Sequence, residues 1–186
     1  MRRCGCLLAV VMLAGASLSE GQKAPRQPTP AIVRPLATSI HSFAVSPGTV
    51  SFAASDPDLG TFAGSPATSV TWNLTGGNAS TTWTLRVASS GSWFGGGSAG
   101  CGTVPAGAVT VTCASATTSG GVSSTASCSA AGGLSTTYRT IASGQEGSGK
   151  PSFTVTLSFT LLDSWSYVAN VSPPCTLNVS YSLNAP

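Results

Sequence analysis

Side chains that could carry acid–base or nucleophilic chemistry are few in this sequence. His41 is the single histidine, and the acids beyond residue 36 are Asp56, Asp58, Glu146 and Asp163. A Ser-His-Asp site needs a histidine base, and glycoside hydrolysis needs two carboxylates facing a cleft. No G-x-S-x-G motif lies on a strand-to-helix turn, and nothing in the sequence ties the acids to a groove. We predict a protein that is not an enzyme and that uses no cofactor.

Two of these acids, in the segment S-D-P-D-L-G-T, leave two interpretations open. Asp56 and Asp58 could begin a calcium loop, because hard cations bind several oxygens. They could equally shape a turn, since Asp and Pro are typical turn residues. We favour the turn and predict no metal site.

The N-terminus predicts a secretory signal over residues 1–19. Met1-Arg2-Arg3 is basic, and the apolar run that follows is too short to span a bilayer. Small residues allow cleavage after Ala16, and a cut after Ser19 fits nearly as well. We therefore expect a secreted or cell-surface protein.

Signal removal leaves the four cysteines Cys101, Cys113, Cys128 and Cys175. An even number in an exported chain predicts two disulfides, for which three pairings exist. Cys113 and Cys128 are symmetrical about Gly120-Gly121, so a hairpin turning there would place them on neighbouring strands. We predict Cys113–Cys128, which leaves Cys101–Cys175. The spacings lack a C-x-x-C pair, so a zinc site is not predicted.

Aromatic side chains offer a possible ligand-binding surface. Trp93-Phe94 precedes three glycines, and exposed aromatics on such a loop can stack on sugar faces or anchor a partner. Collapse of the loop onto the end of the domain is the alternative. Trp72 and Trp83 share the apolar parity of their segments, which predicts that both lie in the core.

The segment that organises these residues is Ser152–Leu162, S-F-T-V-T-L-S-F-T-L-L. Large apolar residues alternate strictly with serine and threonine, as on a half-buried strand. Shorter runs that are also predicted to be strands occur at Phe43–Val45, Val50–Phe52, Val70–Leu74, Trp83–Val87, Val109–Cys113, Ala126–Cys128, Tyr138–Ala142 and Leu177–Leu183.

Turn residues between these runs suggest how the strands pair. Gly76-Gly77-Asn78 predicts a hairpin that joins Val70–Leu74 to Trp83–Val87. Ala126–Cys128 is the expected partner of Val109–Cys113. With no amphipathic helix after the signal, the chain is predicted to be all-β: a single antiparallel β-sandwich of immunoglobulin-like architecture over residues 39–186, stabilised by two disulfides.

Charge is scarce, at 7% of residues. From Ala37 onward the three cations and four anions give a net charge of −1, counted from the printed sequence. A domain of this kind has no electrostatic footprint for nucleic acid or for an anionic membrane. We therefore expect neither partner once the signal has been removed.

Residues 20–38 read as a proline-rich arm or linker. Ile32, Leu36 and Ile40 share one parity, so the arm becomes apolar as it approaches the domain. It is either a spacer that grades into the first strand or an arm that docks along another subunit's sheet edge.

Trp72-Asn73-Leu74 and Trp83-Thr84-Leu85 carry a resemblance to the W-x-L surface domains of bacteria. The runs T-W-T-L-R-V and T-V-P-A-G-A-V-T-V add to it, and D-P-D-L-G is similar to segments of secreted sandwiches of the spore-coat-U and pilin type. The resemblance implies a bacterial surface or fibre protein without enzymatic activity. The expected function is a structural or adhesive module, a class that includes fibre subunits assembling by strand addition with themselves or with other surface proteins. A carbohydrate- or wall-binding module is the alternative.

Overall fold

The computed structural model describes residues 39–52, 60–75, 81–95, 103–164 and 175–185. Several predicted features lie outside these residues: the signal, the arm with Ile32 and Leu36, Asp56, Asp58, Gly76–Asn78 and Cys101. Within the described residues the chain forms eleven strands and one short 3₁₀ turn, Ala106–Ala108. The strands are β1 (Ser39–Ser46), β2 (Ser51–Phe52), β3 (Thr61–Ser65), β4 (Thr68–Thr75), β5 (Thr82–Ser89), β6 (Val109–Val122), β7 (Thr125–Cys128), β8 (Gly132–Gly133), β9 (Arg139–Gln145), β10 (Ser148–Leu162) and β11 (Val179–Asn184).

The longest strand, β10, confirms the strand predicted at Ser152–Leu162 and begins four residues earlier. Phe153, Val155 and Leu157 are fully buried, while the hydroxyl residues between them are partly exposed. β10 pairs with β6 along one edge and with β4 and then β3 along the other. All these pairings are antiparallel. Because β10 has a partner along both edges, the alternating segment lies inside its sheet and not at an edge.

The described strands form two antiparallel sheets in a sandwich-like arrangement. The seven-stranded sheet has the order β1-β4-β10-β3-β2, with β6 on the other edge of β10 and β8 beside β6. The four-stranded sheet has the order β11-β5-β9-β7. From β4 onward, each described strand belongs to the sheet opposite that of the strand before it.

This alternation overturns the predicted hairpin at Gly76–Asn78. β4 and β5 belong to different sheets, so Trp72 and Trp83 face each other across the core. Their ring centroids are 4.9 Å apart in an edge-on contact, and Phe153 stacks on Trp72 at 5.4 Å. The prediction that both tryptophans are core residues is confirmed. Parity identified their buried face, but it could not tell which sheet carried each one.

The predicted disulfide Cys113–Cys128 is present, with a Cα–Cα distance of 5.4 Å. The hairpin from which it was argued is wrong, because β6 pairs with β10 and β8 whereas β7 pairs with β9. The bond therefore links the two sheets. Only fifteen residues separate Cys113 in one sheet from Cys128 in the other. The end of β6 after Cys113, together with the part of β10 that pairs with it (the β6/β10 ribbon), therefore has to bend towards the second sheet.

Glycines allow that bend. Gly120 (φ 78°) and Gly149 (φ 98°) both have the left-handed backbone that glycine adopts without strain. Gly149 pairs with Gly121 beside a bulge in the ladder. The connections β6–β7 and β9–β10 then run side by side, where the Ser124 hydroxyl donates a hydrogen bond to the carbonyl oxygen of Glu146.

None of the helical structure in the described residues is both long enough and apolar enough to cross a bilayer.

Candidate functional site

Of the residues considered for acid–base chemistry, the structure describes His41, Glu146 and Asp163, and it does not bring these three together. Glu146 is completely buried in the connection just before β10, and Asp163 follows the strand's other end. Even the eleven residues from Ser152 to Leu162 extend over roughly 35 Å, far beyond the separation of a glycosidase pair. His41 lies exposed on β1, opposite Asn73 of β4. Among the described residues, no three His, Cys, Asp or Glu side chains form a possible metal site.

The two aromatics of the glycine-rich loop have different environments. Trp93 remains 54% exposed, whereas Phe94 is half-buried and packs against the core. Of the two interpretations of this loop, exposure therefore applies to Trp93 and collapse onto the domain applies to Phe94. A test of ligand binding should change Trp93 alone, because changing Phe94 would also remove core contacts.

Backbone hydrogen bonds hold this segment from two sides. The Phe94 N–H donates to the Val104 carbonyl at 2.9 Å, and Gly95 exchanges two hydrogen bonds with Thr176 at 2.8 and 2.7 Å. Trp93 also forms an isolated β-bridge with Pro105. The Trp93 backbone is thus fixed, which lowers the entropy cost of presenting its side chain to a ligand.

A shallow cavity of about 200 Å³ lies next to this segment. Its lining combines hydroxyl groups with small or apolar residues: Ser92, Ala106, Gly107, Leu134, Ser135 and Thr136. Its volume is below the range typical of small-molecule sites. At most, it could accept a single small polar group beside Trp93.

Arg139 holds one wall of this cavity in place. Its guanidinium donates hydrogen bonds to the carbonyl oxygens of Ala130, Ala131 and Gly133 at 3.2–3.4 Å. A Cβ at Gly132 would meet the guanidinium at 1.6 Å, so glycine is required for this close approach. The segment leading to Leu134 is therefore ordered by a charged side chain.

Strand β1 is a second candidate surface, because it lies at the edge of the seven-stranded sheet. Every residue of β1 except Val45 is exposed, and Ile40 and Phe43 keep 40% and 39% of their surface in solvent. The register with β4 shifts between His41 and Ala44, and Ser42 has a φ of 56°. A bulge therefore interrupts the outer edge of β1.

Strand β11 is the edge of the four-stranded sheet, and its ladder with β5 contains no irregularity from Val179 to Asn184. Val179, Tyr181 and Leu183 pack against the core. Burial raises the pKa of Tyr181 to about 12. The strand carries no charge, proline or glycine.

Sequence reasoning missed two of these features. The bulge at Ser42 left no signal, because serine at positive φ is uncommon and follows no spacing rule. Glu146 lies in the polar segment S-G-Q-E-G-S-G-K, which resembles a solvated loop, yet its side chain is buried. In the sequence, the only hint of a tight corner was the neighbouring Gly147; in the structure its φ is 71°, and a Cβ added there would collide with the Val122 carbonyl oxygen.

The chain matches no protein-family model, no curated protein and no solved structure at a significant level. The resemblance to W-x-L, spore-coat-U and pilin-type proteins stays a prediction.

Proposed function

We propose that the protein is a non-enzymatic structural or adhesive module of a bacterial cell surface, and that its subunits assemble by adding a strand of one copy to a sheet of another. Strand β1 carries the proposal. It lies at a sheet edge and contributes one half-buried side chain, Val45, to the protein interior. Strands at sheet edges are the elements that pair with other chains.

Release of β1 from its own subunit should cost little beyond its backbone hydrogen bonds. Buried apolar area is what holds a strand against a core, and Ile40 and Phe43 are largely exposed. Every copy offers the same β4 backbone, so β1 of a neighbour can take the register that β1 takes within the subunit. Fully extended, residues 20–38 would reach about 60 Å, which is ample for a tether between subunits.

Cysteine cross-linking in the full chain tests strand exchange. Ala44 and Thr71 are register partners in β1 and β4. If β1 exchanges, the variant A44C/T71C oxidised in assembled material should give a ladder of covalent oligomers on a non-reducing gel. Ser69 and Thr156 are register partners in β4 and β10, so S69C/T156C is the matched control and should cross-link only within a subunit. A44C/T71C running as monomer, with no filaments in electron micrographs of the native protein, would contradict the proposal.

Export and a second disulfide belong to the same proposal. The Cys113–Cys128 bond is of a kind that persists in oxidising compartments, in agreement with the signal-like N-terminus. The hydrogen bonds between Gly95 and Thr176 bring the chain just after Cys175 beside a segment that lies six residues before Cys101. We therefore retain Cys101–Cys175 and the immunoglobulin-like architecture as proposals. Mass spectrometry of unreduced peptides should detect this pairing, and two free thiols at these positions would contradict it.

A carbohydrate- or wall-binding function is the second candidate, and the exposed, backbone-fixed Trp93 beside the hydroxyl-lined cavity favours it. A sugar stacked on the indole should be lost in W93A, measured as retention on insoluble glycans. Leu162 is similarly exposed, at 55%, on another part of the chain, so L162A is the control. Equal retention of W93A and wild type would reject this candidate.

A further inference from the structure

We infer that β11 is a second assembly surface, at which two copies of this chain join their four-stranded sheets edge to edge in an antiparallel pair. This inference deepens the proposed function by naming a contact between subunits. It rests on the proposed function only for the idea that the protein assembles, and its test distinguishes a failure of the β11 contact from a failure of β1 strand exchange.

The first step is a comparison of the described edges. β1 is bulged at Ser42, β2 and β8 have two residues each, and β7 has four. The outer edge of β6 is interrupted at Ala114, where the register with β10 shifts, and the adjacent Cys113 is cross-linked to β7. Short length, bulges and covering are the devices by which natural sheets protect their edges.

Within the part of the chain that the structure describes, β11 has none of these protections. It runs for six residues in unbroken register with β5, and its sequence, V-S-Y-S-L-N, contains neither a charge nor a proline. A regular, uncharged edge of this length is a template for another strand. Among the described strands, β11 is therefore the edge best suited to pairing.

The second step identifies the groups that point outward. The Ser90 N–H donates to the Asn178 carbonyl at 2.9 Å, which continues the β11–β5 register by one pair. Hydrogen-bonded and non-hydrogen-bonded pairs alternate in an antiparallel ladder. Ser180 and Ser182 consequently bond to β5, and Val179, Tyr181 and Leu183 direct their N–H and C=O groups away from it.

The third step identifies the occupant as a second β11. Two such strands can pair about a two-fold axis at Tyr181, so that Val179 of each copy meets Leu183 of the other. Every outward-directed residue then pairs with another, and each pair can exchange both of its hydrogen bonds. The axis is perpendicular to the sheet, so the core faces of the two copies lie on the same side. A two-fold contact of this kind is the commonest in protein oligomers.

This register makes the outer face sensitive to charge. Ser180 of one copy lies directly opposite Ser182 of the other, where like charges would repel. In the isolated subunit, Ser180 is exposed and Ser182 pairs with Arg86 of β5, so glutamate at both positions is compatible with the fold.

Analytical ultracentrifugation of the exported full chain over a range of concentrations tests the inference. We expect a concentration-dependent dimer whose dissociation constant rises at least about tenfold in S180E/S182E. The same rise is expected in S180K/S182K, whose fold is checked by circular dichroism because lysine at position 182 lies opposite Arg86 of its own subunit. Mixing these two variants should restore a dimer that contains one copy of each. The control T61E/A63E places the same charges at the same spacing on exposed positions of β3, between β10 and β2, and should dimerise like wild type.

A second measurement does not depend on any variant: hydrogen exchange at the Tyr181 and Leu183 amides should slow as protein concentration rises. A wild-type monomer at all concentrations, or a dimer unaffected by S180E/S182E, would overturn the inference.

Locking β1 with the intramolecular A44C/T71C cross-link separates the two proposals, because it blocks strand exchange but should leave the β11 dimer. If the dimer is lost when β1 is cross-linked, then the partner at the β11 edge is the segment bearing β1 and not a second β11.

Discussion

Gly144 shows most directly how a single residue is constrained in this protein. It pairs with Trp83 of β5 and with Ala126 of β7. A Cβ added there would lie 1.9 Å from the Thr125 carbonyl oxygen and 2.7 Å from the Trp83 ring. The first of these neighbours is backbone and cannot rotate away, so the sheet itself would have to shift.

We expect G144A to lower the free energy of unfolding by about 3 kcal/mol or more, at the upper end of overpacking effects. Urea unfolding monitored by tryptophan fluorescence measures the change. G48A is the matched control, because nothing lies within 4 Å of a Cβ at Gly48, and its effect should stay within about 0.5 kcal/mol. Equal effects of the two substitutions would contradict the close approach at Gly144.

Tyr181 gives the fold a dependence on alkaline pH. Its pKa is raised from 10.0 to about 12 because burial disfavours the phenolate. Between these values the unfolded chain loses its proton and the folded chain keeps it, so the free energy of unfolding falls as pH rises. Below pH 10 both states are protonated and this contribution does not change with pH.

We therefore expect unfolding midpoints in urea to decrease between pH 10 and pH 12, and Y181F to lessen that decrease. Tyr138 is 43% exposed, so Y138F should retain the wild-type slope. A slope that is the same in Y181F and in the wild type would show that other groups cause the alkaline loss.

At the scale of the strands, the Cys113–Cys128 bond holds together elements that share no ladder. Because β6 and β7 belong to different sheets, backbone pairing between them cannot replace the bond. Closing a loop of fifteen residues is worth about 3 kcal/mol on the chain-entropy account. We expect C113S/C128S to lose roughly that amount in urea unfolding. A loss below about 1 kcal/mol would mean that the ribbon bend is already fixed without the bond.

Sequence patterns predicted individual strands much better than their pairing. A period of two identifies a strand and its buried face, and this sufficed for β10 and for Trp72, Trp83 and the final strand. Neighbours in sequence usually pair in a sheet, which made the Gly76–Asn78 hairpin the natural prediction. Here successive described strands from β4 onward lie in opposite sheets. Side-chain parity is the same whether the chain turns back within one sheet as a hairpin or crosses to the other sheet.

The candidate sites were predictable to a smaller degree. The loop composition around Trp93 left exposure and collapse equally open, and the structure shows Trp93 exposed and Phe94 half-buried. The availability of an edge depends on which strands flank it, on bulges and on cross-links, and none of these follows from local sequence. The final strand, β11, could be predicted as a strand, but its position at the edge of the described four-stranded sheet could not.

At the scale of the whole molecule, low charge determines how association should respond to salt. The carboxyl-terminal 150 residues carry a net charge of −1, and β11 carries no charged side chain. Backbone hydrogen bonds and apolar contacts at such an edge are little affected by ionic screening, whereas contacts between charges weaken as the Debye length falls from about 14 Å to about 4 Å.

The dissociation constant of the wild-type β11 dimer should therefore change less than about twofold between 50 and 500 mM sodium chloride. The mixed dimer of S180E/S182E with S180K/S182K is held in addition by opposite charges and should weaken several-fold over the same range. Sedimentation at the two salt concentrations measures both. A wild-type dimer that weakens as strongly as the mixed one would place its contacts on charged surface, and the β11 edge would then not be the interface.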